Sequence, residues 1–152
     1  MTRPLSVIFA EDDDEDWILI ADVIDSCPLR DKLTLERVRD GQQLLDRLRD
    51  TDLPHPDVVL LDIQMPRKNG LETLLEMRAE EALRSIPVII LTTSEAESDV
   101  FRSYQSGANS YVVKPGSSVE ALLHALKNYW VGVCRIPTPR PALTHQVKHE
   151  EP

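Results

Sequence analysis

Five polar residues of this 152-residue chain sit just past short apolar runs, and their types suit one kind of chemistry. Glu11 and Asp12 follow Val7–Ala10, Asp62 follows Val58–Leu61, Thr92 follows Val88–Leu91, and Lys114 follows Tyr111–Val113. Clustered carboxylates repel one another and favour a divalent cation. Mg2+ takes oxygen ligands, keeps several waters, and binds through one or two carboxylates plus phosphate oxygens. An aspartate is also a known nucleophile toward phosphoryl groups. Phosphoryl transfer asks mainly for positioning and neutralised charge. Lys114 offers a positive point charge to a phosphoryl oxygen, and Thr92 offers a hydroxyl to another.

These residues meet only if the runs preceding them are neighbouring strands. Each run is strand-length and rich in β-branched or aromatic residues. Val58–Leu61 and Val88–Leu91 are apolar at every position, as strands covered on both faces should be. Leu33–Val38 alternates Leu33 and Leu35 with Thr34 and Glu36, which predicts an edge strand with a wetter face. Helical spacing separates the runs: Trp17, Ile20, Ala21 and Ile24; Leu44, Leu45 and Leu48; Leu71, Leu74 and Leu75. Ala96–Gln105 is weakly amphipathic, and Val119, Leu122, Leu123, Leu126, Tyr129 and Trp130 predict a last helix. Strands alternating with helices imply a parallel, doubly wound sheet with right-handed crossovers. In such a sheet, ligands bind at the carboxyl ends of the strands. The five polar residues therefore converge on one edge although they lie far apart in sequence.

Composition narrows the class. The formal net charge is −9, and the arginines are scattered among acids, so no nucleic-acid partner is expected. No apolar run is long enough to span a membrane. The N-terminus lacks the long apolar region and small-residue cleavage site of a secretory signal. Cys27 and Cys134 have no metal-ligand spacing, so reduced thiols in a cytoplasmic protein are expected.

The stretch Val59-Leu60-Leu61-Asp62-Ile63-Gln64-Met65-Pro66, with Gly70 beyond, resembles the phosphorylation motif of bacterial response-regulator receivers. The acidic pair, Thr92 and Lys114-Pro115 fall in the same order as in that family, and the resemblance runs from about Leu5 to Trp130. It implies a (βα)5 flavodoxin-like three-layer sandwich, with strand order 2-1-3-4-5 taken from that fold class. It also implies a phosphoryl group accepted on Asp62 from a histidine kinase, with Mg2+ held by Asp12, Asp62 and the backbone carbonyl of Gln64, and by Glu11 through water. Thr92 and Tyr111 match the family's switch pair: the hydroxyl moves to the phosphoryl group and the ring turns into the vacated space. The Lys114–Pro115 bond is cis in many relatives. Leu91-Thr92-Thr93-Ser94, Tyr129-Trp130 and the apolar stretch ending at Pro137 further resemble the small receivers that partner phytochrome-type histidine kinases. At the position of Thr93 the family often has a smaller residue.

The same residues also have plainer readings. Asp13, Asp14, Glu15 and Asp16 read as a solvated helix start, where acids suit the N-terminal dipole. Gly70 reads as structural, near the first turn of the third helix. His55, His124, His145 and His149 read as surface residues. The division expected is a receiver domain over 1–130 and an apolar arm with a Pro-rich tail over 131–152. The arm invites a partner subunit, so a homodimer is expected through the fourth helix, the fifth helix, Tyr129, Trp130 and Ile136. A phosphatase using a strand-end Asp nucleophile wants a second Asp two residues on, where this chain has Gln64. A flavin-binding relative wants Ser, Thr or Gly in its first loop, where this chain has acids. A module that signals by binding alone, or a shuttle in a longer relay, remains compatible with these residues.

Overall fold

The computed structural model of the chain describes residues 3–26, 31–114, 125 and 128. Nine elements alternate: β1 (Leu5–Ala10), α1 (Asp14–Ser26), β2 (Leu33–Val38), α2 (Gly41–Arg49), β3 (Val58–Leu61), α3 (Gly70–Ala79), β4 (Val88–Thr92), α4 (Glu97–Gln105) and β5 (Ser110–Val113). Of the expected last helix only Ala125 and Asn128 are described, and both are helical. The strands form one parallel sheet in the order β2-β1-β3-β4-β5, the flavodoxin-like order expected.

The period-two alternation of strand side chains divides the core into two layers. Ile8 and Ala10 of β1, Val59 and Leu61 of β3, and Val88 and Ile90 of β4 face Leu44, Leu45 and Leu48 of α2 and Leu74 and Met77 of α3. Leu5, Val7, Phe9, Val58, Leu60, Ile89 and Leu91 point the other way, toward Ile20 and Trp17 of α1. Helices thus cover both faces, and β3 and β4 are buried throughout. β2 and β5 lie at the two edges of this sheet, and β2 alternates between half-buried and exposed positions over most of its length. Leu75 departs from its helical pattern: it faces solvent, and α3 instead buries Leu71, Thr73, Leu74 and Met77. Among the described residues, no helix is long and apolar enough to cross a membrane.

Side-chain caps fix the starts of α2 and α3, whereas α4 begins after Ala96 without one. Asp40 accepts from the Gln43 amide ahead of α2, and Asn69 accepts from the Glu72 amide ahead of α3. Each such cap contributes about 1 kcal/mol. His55 is buried, contrary to the surface reading, with its Nε2 at 3.0 Å from the Leu48 carbonyl oxygen. The Pro-flanked loop folds inward there because the last turn of α2 leaves a carbonyl needing a partner.

The loop after β3 is held at two points. The Gly41 amide donates to the Lys68 carbonyl at 3.2 Å, and the Gly70 amide donates to the Ile63 carbonyl at 3.0 Å. Gly70 opens α3 so close to β3 that a Cβ would lie 2.2 Å from the Asp62 carbonyl oxygen. The constraint is close approach of two backbones, and neither can yield without moving Asp62. Gly70→Ala should therefore lower unfolding stability by about 2 kcal/mol, in the range for overpacking a tight core. Urea unfolding checks this, and a loss below about 0.5 kcal/mol, typical of surface changes, would contradict the close-packing account.

Candidate functional site: a carboxylate cluster at the strand ends

Strand register brings the chemistry together. Ala10 of β1 is level with Leu61 of β3, so Glu11 and Asp62 leave the sheet side by side. Leu61 is level with Ile90 of β4, and Thr92 is level with Val113 of β5, which sets Lys114 one residue above that row. The Lys114 amide also donates to the Thr92 carbonyl at 2.7 Å. The order of strands reverses between β1 and β3, and a crevice opens at such a point.

The Lys114 ammonium sits at the centre. Its Nζ donates to Glu11 Oε2 at 2.7 Å, to Asp62 Oδ2 at 2.9 Å and to Asp16 Oδ2 at 3.0 Å. Burial alone would make the ammonium easier to deprotonate. Its bonds to Glu11 and Asp62 outweigh burial and hold it above the ordinary lysine range. Glu11 shows the opposite balance: burial pushes its carboxyl up, and the Lys114 bond offsets this only in part. Its other oxygen accepts from the Asp13 amide at 3.1 Å. Asp62 Oδ1 accepts from the Gln64 amide at 3.1 Å, which fixes the carboxylate plane.

A divalent ion is the natural complement of this donor set. Glu11, Asp12 and Asp62 each offer one carboxylate oxygen, all within 4.8 Å of one another. Glu11 and Asp62 are buried and Asp12 is exposed, so the cluster opens to solvent on one side. Oxygen donors with access for retained water fit Mg2+ or a similar hard cation.

The remaining expected residues lie around this centre. Thr92 is buried at the end of β4, with its Oγ1 3.4 Å from the Ser94 amide. Thr93, next to Thr92, and Gln64, two residues after Asp62, are both exposed. Tyr111 is half-buried; its hydroxyl donates to the Ser94 carbonyl at 2.9 Å, and its amide donates to the Tyr104 hydroxyl at 3.2 Å. Pro115, Tyr129, Trp130 and Ile136 lie outside the described residues, as do Cys27, Cys134, His124, His145 and His149.

Two residues escaped the reading of the sequence. Asp13 does cap α1, accepting from the amides of Glu15 and Asp16 at 2.9 and 3.0 Å. Asp16, one helical turn beyond Asp12, is not simply solvated: the cap aims the first turn so that this side chain reaches Lys114. Its spacing from Asp12 was the available signal. Arg37 of β2 donates its Nε–H to the Glu11 carbonyl at 2.9 Å, and its guanidinium lies 5.5 Å from the Trp17 ring centroid. Nothing in a single sequence pairs Arg37 with Glu11. Asp14 binds Arg37 and Arg39, and these bonds hold its carboxyl below the usual range.

Removing the central ammonium should strand the acids. Lys114→Ala is expected to lose about 3 kcal/mol at neutral pH, as when one partner of a largely buried pair is deleted. The sign with pH follows from the shifts. The raised Lys114 contributes fully below the ordinary lysine range and is lost only as pH rises through its folded value. In the variant, Glu11 has lost the bond that opposed burial, so its pKa rises further and protonation relieves it. The deficit should therefore shrink toward pH ~4.5, near the carboxylate range. Urea unfolding of both proteins at the two pH values tests this; an equal deficit at both would contradict it.

The chain is similar to known proteins in sequence and in fold. The chain is 34% identical over 141 residues to the probable methanogenesis regulatory protein FilR2 of Methanothrix harundinacea, covering 90% of each. It is 29% identical over 140 residues to response regulator Rcp1 of Synechocystis, covering 88% of this chain and 94% of that one. Among solved structures, the phosphorylated cyanobacterial phytochrome response regulator RcpA superposes with a TM-score of 0.77 at 27% identity, covering 89% of this chain and 99% of that one. A Mn2+-bound form of response regulator Rcp1 superposes with a TM-score of 0.75 at 28% identity, covering 89% of this chain and all of that one. The model of the response regulator receiver domain matches residues 7–127, and the chain belongs to that signalling family.

Proposed function

We propose that the chain is a single-domain response regulator that accepts a phosphoryl group on Asp62 from a histidine kinase. The observation that carries this reading is the Lys114 ammonium bound to Asp62 and Glu11 at the mouth of the sheet. Asp62 has one oxygen fixed by the Gln64 amide and the other facing Lys114. An Asp62 oxygen forms the new O–P bond as the P–N bond of phosphohistidine breaks, and the imidazole leaves with a proton. Lys114 donates a hydrogen bond to a phosphoryl oxygen, and the Thr92 hydroxyl donates to another. Mg2+ would be held by Glu11, Asp12, Asp62 and the Gln64 carbonyl, and when bound it supplies charge neutralisation between nucleophile and phosphoryl group. No general acid stands where Gln64 does, so the group is retained rather than turned over.

The consequence of charging Asp62 is carried by Thr92 and Tyr111. Drawing the Thr92 hydroxyl toward the phosphoryl group vacates space beside β5. Tyr111 fills it only by giving up the Ser94 carbonyl, which frees the loop leading to α4. Local charge thereby biases a two-state element. The kinase is a phytochrome-type sensor, a reading supported by the likeness to RcpA and by the Leu91–Ser94 motif. The receiver domain spans 1–130 and the arm 131–152. The exposed Phe101 and Tyr104 of α4, at 66% and 50% of full exposure, suit a homodimer through α4, the fifth helix and the arm.

Incubation with acetyl phosphate and Mg2+, followed by intact mass spectrometry, should add one phosphoryl group to the wild type and none to Asp62→Asn. Omitting Mg2+ should abolish labelling. Equal labelling of Asp62→Asn would sink the phosphoacceptor reading. Light scattering of the wild type and of Phe101→Ser should show a dimer for the first and a smaller mass for the second; a wild-type monomer with or without phosphate rules the dimer out.

A further inference from the structure

An ammonium has three hydrogens to donate. In this protein Lys114 directs them to Glu11, Asp62 and Asp16, at 2.7, 2.9 and 3.0 Å. A phosphoryl oxygen on Asp62 therefore meets a lysine with no hydrogen to spare. One of the three bonds must open, and burial decides which. The Glu11 side chain is 1% exposed, and losing its partner would leave a desolvated carboxylate unpaired. Asp62 keeps Lys114 on Oδ2 when Oδ1, the oxygen beside the Gln64 amide, takes the phosphoryl group. The Asp16 side chain is 39% exposed, so water can take the place of Lys114 there at small cost. The Asp16 contact is also the longest of the three.

Resting on the phosphoacceptor reading of Asp62, we propose that Asp16 is a positioning residue: it holds the third hydrogen of Lys114 while Asp62 is bare and yields it to the phosphoryl oxygen. Asp16 thus competes with the phosphoryl group for one donor and sets how readily the site is charged. A plain helix-start acid would not do this. It would act only through its charge and the α1 dipole, as the exposed neighbour Glu15 does, which is not among the partners of Lys114. The two roles differ in whether contact with Lys114 matters.

The test is the initial rate at which acetyl phosphate labels Asp62 with Mg2+ in excess, where an Asp62 oxygen bonds phosphorus and acetate leaves. Wild type, Asp16→Asn, Asp16→Ser, Asp16→Glu and Glu15→Gln are compared, with thermal midpoints recorded for each. Asp16→Asn and Asp16→Ser should label about fivefold faster, the factor that corresponds to losing a partly exposed ion pair. Asp16→Glu retains the charge and reach and should return to the wild-type rate, and Glu15→Gln should match wild type. Two chemically different variants at position 16 guard against one of them folding poorly. Equal gains in Glu15→Gln and Asp16→Asn would overturn the proposal, leaving only a general charge effect, and so would an unchanged or slower rate in both Asp16→Asn and Asp16→Ser. Absence of label on the wild type would overturn the phosphoacceptor reading itself, and this proposal with it; label on the wild type with no difference among variants overturns this proposal alone.

Discussion

One ammonium among four carboxylates is the constraint on which this site depends. Glu11, Asp12, Asp16 and Asp62 crowd the ends of β1 and β3 and the start of α1, and Lys114, at the end of β5, reaches Glu11, Asp16 and Asp62. Like charges this close cost stability unless a cation is supplied. The chain supplies one of its own, and the cluster retains more negative charge than one lysine can balance. The surplus makes a hard cation welcome, and in the proposed reaction the same lysine meets a phosphoryl oxygen. The doubly wound order matters because it sets β1 beside β3, with β4 and β5 following in register.

The supporting parts serve that placement. Gly70 lets α3 begin almost against Asp62, and the Gln64 amide turns one carboxylate oxygen away from Lys114. Arg37 steadies the backbone at Glu11 from β2. By contrast α4 is held lightly: Ser103 is its one buried residue, while Phe101 and Tyr104 face solvent. Ser94 ties into it through Asp99 at 2.5 Å and accepts from the Tyr111 hydroxyl. An element with few buried contacts shifts at low free-energy cost. The tightly packed strands β1 and β3 therefore hold the carboxylate cluster, and α4 is the lightly packed element beside it.

Strand ends were legible because parallel strands buried on both faces read as unbroken apolar runs, so the polar residue that ends each run stands out. That logic located Glu11, Asp12, Asp62, Thr92 and Lys114, and the alternation in Leu33–Val38 located one edge. It failed where the decisive partner came from another element. Asp16 looked like one acid among several because its partner lies 98 residues away. His55 looked exposed because a Pro-flanked loop gives no sign that it will bond the end of α2. Leu75 fits helical spacing, yet the helix turns it outward and uses the small polar Thr73 where packing is tight.

In the proposed reaction these contacts select Asp62, and no neighbouring acid, as the nucleophile. Borohydride reduces an acyl phosphate, so treating the phosphorylated protein converts the charged aspartate into homoserine, and peptide mass spectrometry then reads its position. Homoserine is expected at position 62 alone. Homoserine at position 12 or 16, with Asp62 intact, would contradict this assignment.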